Sequence, residues 1–191
     1  QEMEHDACGV GVIVSTEGKK SREIVEHGIE ALKAVWHRGA VDADGKTGDG
    51  AGIHVEIPKD FFIEKIEVTG HDYDNAEICV GMIFLPRNDY SAQESCKTIV
   101  ESELTKNNFS IYGWRQVPVN PKILGQKALQ TMPEIIQVLF KSNDQNLLDK
   151  NLERKIYETR KKIEKKAFQL SLNNFYICSI SSKSIIYKGL Y

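Results

Sequence analysis

The sequence is poor in cysteine: four among 191 residues, at positions 8, 79, 96 and 178. They form no Cys-x-x-Cys pair and no Cys/His group at metal-ligand spacing, which argues against a structural metal or an iron–sulfur cluster. Charge of one sign is also lacking. With 25 basic against 27 acidic side chains and a formal net charge of -2, there is no electrostatic case for nucleic acid or an anionic membrane. No long hydrophobic run occurs: the apolar stretch at residues 78–85 ends at Pro86, well short of the ~20 residues that span a bilayer. The start, Gln1-Glu2-Met3-Glu4, lacks the basic and apolar regions of a signal peptide. Residues 45–52 are glycine-rich but lack the Gly-Lys-Ser/Thr ending of a phosphate-binding loop. Internal repeats, low-complexity tracts and an interdomain linker are absent too. What remains is a cytoplasmic globular chain, 41% hydrophobic, long enough to bury one core, with no cofactor, no metal, no nucleic acid and no membrane expected.

What is present begins at His5-Asp6-Ala7-Cys8-Gly9-Val10-Gly11-Val12-Ile13-Val14. Cys8 is followed by small, flexible residues and then by β-branched ones, the pattern of a thiol at the start of a buried strand over residues 10–14. Cys79 lies in an apolar strand, Cys96 on the apolar side of a helix and Cys178 in a strand pattern, so all three read as core thiols. Ser21 is a candidate N-cap for a helix whose apolar positions, Ile24, Val25, Ile29, Leu32, Val35 and Trp36, recur at the helical period and predict one buried face. Arg38 and Gly39 are expected to end it. Ile53, Val55 and Ile57 alternate with His54 and Glu56 up to Pro58, a half-buried strand that leaves His54 solvated.

Residues 67–75 read as a surface loop and residues 78–85 as a buried strand. Ser91-Ala92-Gln93-Glu94 has capping-box spacing ahead of a helix carrying Cys96, Ile99, Val100 and Leu104. Residues 109–119 form a strand interrupted at Gly113, with Trp114 in the core, and residues 135–140 another. Residues 148–168 form a helix with Leu152, Ile156, Ile163 and Ala167 on one face and a solvated basic stripe on the other. Residues 175–181 and 184–188 read as two strands of a hairpin around Ser182-Lys183. This order of elements suggests α+β layers.

Cys8-Gly9-Val10-Gly11, then a helix, then His37-Arg38-Gly39-Ala40, then Thr47-Gly48-Asp49-Gly50-Ala51-Gly52-Ile53 resembles the start of class II glutamine amidotransferases. The likeness is greatest to the N-terminal part of the glutaminase domain of the glutamate synthase large chain. It continues in Phe84-Leu85-Pro86, Gly113-Trp114-Arg115-Gln116-Val117-Pro118-Val119-Asn120, Leu152-Glu153-Arg154-Lys155, Phe175-Tyr176-Ile177-Cys178-Ser179 and Tyr187-Lys188-Gly189. The resemblance implies an N-terminal-nucleophile hydrolase fold, a layered sandwich of antiparallel sheets flanked by helices, here expected to be incomplete at the C-terminus. It implies a propeptide-like lead at residues 1–7 and an amidotransferase domain over residues 8–191.

The chemistry implied is hydrolysis of the side-chain amide of L-glutamine. Such an amide is a weak electrophile, so the reaction requires a strong nucleophile, a proton carrier and donors for the developing oxyanion. The resemblance gives Cys8 as nucleophile and its own α-amine, freed by removal of the lead, as base; such an amine titrates near ~7.7 to 8.0, suited to taking and returning a proton. Arg38 is implied as a positive group ordering the site, and Asp49 as shaping the neighbouring turn. Two family motifs are not in this chain: Arg-Phe-Ser-Thr-Asn-Thr, whose arginine binds the glutamine carboxylate, and His-Asn-Gly-Glu, whose Asn and Gly make the oxyanion hole. From these departures the isolated chain is expected to turn over little glutamine. Three readings follow: a class II amidotransferase with Cys8 as nucleophile; a catalytically inactive half-domain that binds a partner chain, such as one supplying the missing half; and a Cys/His hydrolase using His5 or His37 as base.

Overall fold

In the computed structural model the described residues are 9–35, 39, 41–48, 50–147 and 149–190. The chain divides into two compact units, Gln1–Ile53 with Asn120–Thr131 and Lys188–Tyr191 in one, His54–Val119 with Met132–Tyr187 in the other.

The second unit is built on a four-stranded antiparallel sheet. Its strands are β2 (Cys79–Leu85), β3 (Phe109–Gln116), β4 (Glu134–Ser142) and β5 (Tyr176–Ser181), in the order β3-β4-β2-β5. The central strand β2 runs against β4 with Cys79 opposite Phe140 and Leu85 opposite Glu134, and against β5 with Val80 opposite Ser181. It is central because it is apolar on both faces: every residue but Phe84 is buried, as a strand covered on two sides requires. Cys79, Ile83 and Leu85 face one cluster, with Cys96, Ile99, Val100 and Leu104 of α3 (Tyr90–Lys106) and Leu152, Ile156 and Ile163 of α5 (Asp149–Gln169). Val80 and Met82 face the other, with Phe62 and Ile66 of α2 (Lys59–Val68), Ile57, and Ile185 of β6 (Ser184–Leu190). The two-residue alternation of β2 thus sets one layer, with α3 and α5, on one side of the sheet and a second, with α2, on the other. Ile186 and Tyr187 of β6 also pack against that second cluster, and β6 pairs with β1 (Gly50–Glu56) in a two-stranded sheet. This is the α+β arrangement of antiparallel sheets and helices expected from the sequence.

Local details fix this unit. β3 shifts register between Ile111 and Gly113. Gly113 has φ 154, and a β-carbon there would lie 2.8 Å from Cγ2 of Thr69, so only glycine fits the interruption. On α5 the Glu153 carboxylate accepts from Ser181 Oγ at 3.0 Å and from both the backbone N and Oγ of Ser182 at 2.7 Å, closing the turn between β5 and β6. Trp114 packs against the core cluster, and its indole N–H donates to Glu101 at 2.6 Å. The basic face of α5 is only partly solvated: Arg154–Glu158 and Arg160–Glu164 pair one turn apart, Arg160 is half-buried and also donates to Ile177 O at 2.8 Å, and Lys166 pairs with the buried Glu103 of α3. Among the described residues no helix is long and apolar enough to cross a membrane.

Several sequence expectations change. Residues 10–14 form no strand: Val10, Val12 and Val14 are 92%, 82% and 69% exposed. β-Branched composition makes a strand only beside a partner, and β1 takes β6 as its neighbour instead. The first helix, α1 (Arg22–Ala34), is capped by Ser21 as expected, with Oγ accepting from Ile24 N at 3.3 Å, but it ends four residues before Arg38 and none of its residues is buried. Ile24, Val25, Ile29 and Leu32 are only half-buried. The cap of α3 is Asp89, which accepts from Ala92 N at 2.9 Å, and Ser91 lies inside the helix. The strands β5 and β6 are joined by a tight turn, yet β5 pairs with β2 and β6 with β1, so they part into different sheets. Helix α2 and the short α4 (Gln126–Thr131) carry little sequence signal: Pro58 offers α2 no side-chain cap, and α4 is too short to show a period.

Candidate active site

The three candidate residues, Cys8, Arg38 and Asp49, lie outside the described residues, as do His5 and His37. Their described neighbours all belong to the first unit, and α1 is the element that relates them. A β-carbon on Gly9, next to Cys8, would stand 4.0 Å from Cβ and Cγ2 of Val35, the C-cap of α1. Val35 immediately precedes Trp36-His37-Arg38 in the chain. On the same helix, Gly28 lies against Ile53 of β1, with the Ile53 Cδ1 atom 3.3 Å from where a β-carbon would be. Gly50, the first residue of β1, follows Asp49. The chain after Cys8 and the strand after Asp49 therefore pack on one helix, whose end leads to Arg38.

Between the Arg38 and Asp49 motifs, residues 41–48 fold back as a tight ribbon. Val41 bridges Gly48 in antiparallel fashion, Asp42 N donates to Thr47 O at 2.8 Å, and Gly45 N donates to Asp42 O at 2.9 Å. Gly45 takes φ 68, the left-handed conformation the turn needs. Asp44 Oδ1 accepts from the backbone N of Lys46 at 3.0 Å and of Thr47 at 2.7 Å, and Asp44 Oδ2 accepts from Thr47 Oγ1 at 2.5 Å. These donors, the Thr47 hydroxyl foremost, hold the Asp44 carboxyl well below the usual carboxylate range. The ribbon is fastened to the segment before and within α4: Lys127 Nζ donates to both carboxylate oxygens of Asp42, at 2.8 and 2.7 Å, and lowers its pKa.

The remaining thiols, Cys79, Cys96 and Cys178, are buried, as the sequence predicts for core cysteines. Burial pushes the Cys79 thiol far up and the Cys96 thiol up to about 11, so neither forms thiolate near neutral pH. Cys178 spends its S–H on Ile186 O at 3.5 Å. His54 is exposed, as expected, and its Nε2 lies 2.7 Å from Ser184 Oγ, a side-chain tie between β1 and β6. Among the described residues no group of three or more His, Cys, Asp or Glu is placed to hold a metal ion.

Known proteins bear on this arrangement. The profile of the family described as glutamine amidotransferases class-II matches residues 8–191, beginning at Cys8. The chain is 54% identical over 190 residues to the glutamate synthase [NADPH] large chain of Azospirillum brasilense, covering 100% of this chain and 12% of that protein. It is 39% identical over 189 residues to ferredoxin-dependent glutamate synthase 1, chloroplastic/mitochondrial, of Arabidopsis thaliana, and 40% identical over 196 residues to ferredoxin-dependent glutamate synthase of Pyropia yezoensis. These cover 98% and 99% of this chain and 12% of each relative. The chain thus spans about an eighth of the length of the curated relatives it matches. The chain belongs to the class II glutamine amidotransferases and is similar to part of the glutamate synthase large chain.

Proposed function

We propose that this chain carries the nucleophile of a glutaminase reaction, the release of ammonia from the side-chain amide of L-glutamine, with Cys8 as the attacking group. The observation that carries the reading is the family match, which begins at Cys8 and runs to residue 191. Two structural facts support it: Gly9 packs beside the end of the helix that leads to Arg38, and the thiols of Cys79, Cys96 and Cys178 are buried.

Removal of residues 1–7 frees the α-amine of Cys8. That amine takes the thiol proton as sulfur attacks the amide carbon, and returns a proton to nitrogen as the carbon–nitrogen bond breaks, releasing ammonia. The γ-glutamyl thioester left on Cys8 is then cleaved by water, activated by the same amine, to glutamate and the free thiol. Arg38 and Asp49 are site-ordering groups, Arg38 by charge and Asp49 by shaping the turn into β1. The test is glutamate release from L-glutamine by protein from its own cells, beside a Cys8→Ala variant. Turnover that disappears in the variant supports the proposal; equal turnover in both defeats it.

One observation favours a second reading, that the chain acts by binding a partner chain alone: Val10, Val12 and Val14 stand exposed next to Cys8. That reading predicts no Cys8-dependent turnover, and a Val12→Glu variant that loses a bound chain in sedimentation velocity.

A further inference from the structure

We propose that Gly125 and Lys127 are positioning residues for the glutaminase site, seating the ribbon of residues 41–48 through which the chain passes between Arg38 and Asp49. The inference rests on the amidotransferase reading above and adds residues outside every motif that carries it.

Two contacts make the seat, both within the first unit. At Gly125 the ribbon comes so close that a β-carbon would lie 2.2 Å from Thr47 Oγ1, 2.4 Å from Asp44 Oδ2 and 2.6 Å from the Thr47 backbone nitrogen. The last atom cannot swing away as a side-chain tip could, so any side chain at position 125 must displace the ribbon itself. The Lys127 ammonium donates to both oxygens of Asp42, at the first strand of the ribbon. Together these grip the ribbon at Asp42, Asp44 and Thr47.

Those three positions govern where the ribbon ends. The Asp42–Thr47 hydrogen bond and the Val41–Gly48 bridge hold its two strands together. Gly48 is bonded to Asp49, and Val41 stands three residues after Arg38 in the chain, so a shift of the ribbon moves the points from which both motifs depart. Lys127 is exposed and its ion pair with Asp42 sits in solvent, where such a pair contributes little to folding. The pairing of both carboxylate oxygens therefore has more to do with where the ribbon lies than with whether the chain folds.

The test uses protein from its own cells carrying Gly125→Ala, Lys127→Met or Lys127→Arg. We expect Gly125→Ala to lower kcat/KM for glutamine by about 100-fold, the scale of a 1 Å misplacement remote from the chemistry, and to quicken amide exchange in residues 42–51. Alkylation of Cys8 by iodoacetamide, which needs the thiol but no glutamine site, should keep its wild-type rate. Lys127→Met should cause a smaller loss that Lys127→Arg restores. An unchanged kcat/KM or unchanged exchange in Gly125→Ala overturns the inference, as does an equal loss of alkylation and turnover, which would signal general collapse. If Gly125→Ala does not fold, Lys127→Met decides, and full activity in it overturns the inference. Wild-type protein without Cys8-dependent turnover defeats the amidotransferase reading and this inference together; an active wild type with silent variants defeats the inference alone.

Discussion

At the scale of the residue, Asp74 ties three parts of the second unit. Its carboxylate accepts from Tyr112 Oη at 2.7 Å and from the Lys141 ammonium, which also lies over the Tyr112 ring. The Lys141 hydrogen bond, and then that of Tyr112, hold Asp74 at about 2, below its ordinary 3.8. A lowered carboxyl pKa stabilises the fold above the unfolded value and ceases to do so as pH falls through the folded one. Wild type should therefore lose urea resistance between about pH 4 and pH 2, and Asp74→Asn should show a flatter profile across that window. A steeper profile in the variant would contradict the assignment. Gly113→Ala, at φ 154 against Thr69, should cost about 1 to 3 kcal/mol in equilibrium urea unfolding. Residue-level reading of the sequence went furthest with the thiols: Cys79, Cys96 and Cys178 were legible as core because each sits in an apolar period. The seat at Gly125 was not legible, since nothing in Leu124-Gly125-Gln126 announces a ribbon 78 positions earlier in the chain.

At the scale of the element, legibility followed the length of the pattern. The 21 residues of α5 and the buried run of β2 carry enough periodic signal to be read directly. Residues 10–14 carry strand composition and form none, because a strand depends on a neighbour that local sequence does not name. The parting of β5 from β6 into two sheets is of the same kind: the turn is local and visible, the pairing is not. The device that holds that turn is the Glu153 carboxylate reaching from α5. Glu153→Ala leaves the buried Ser182 without its acceptor and should cost about 1 to 3 kcal/mol, measured by chemical denaturation; an unchanged midpoint would show the turn to be self-sufficient. On the other face of α5, Ile156→Ala removes a fully packed side chain between the helix and the sheet, with an expected loss of about 2 to 5 kcal/mol.

At the scale of the whole molecule, burial is unequal. The second unit holds both hydrophobic clusters, whereas no described residue from 9 to 53 is buried. Local stability follows buried apolar contact, so amide exchange should be slowest in β2, β4 and α5 and much faster in α1. Equal protection across these elements would contradict that division. The family and the α+β layers were readable from dispersed motifs in fixed order, while the packing of α1, the start of β1 and the ribbon was not, because it depends on contacts between residues far apart in the sequence.

The central claim is that Cys8 acts as an N-terminal nucleophile on glutamine. Peptide mass spectrometry on protein from its own cells, after reaction with a diazoketone analogue of glutamine, tests it most directly. The account predicts a peptide that begins at Cys8, with residues 1–7 gone and one adduct on the Cys8 sulfur. An intact Gln1 to Ala7 lead on the labelled peptide, or an adduct on Cys79, Cys96 or Cys178 instead, would contradict it.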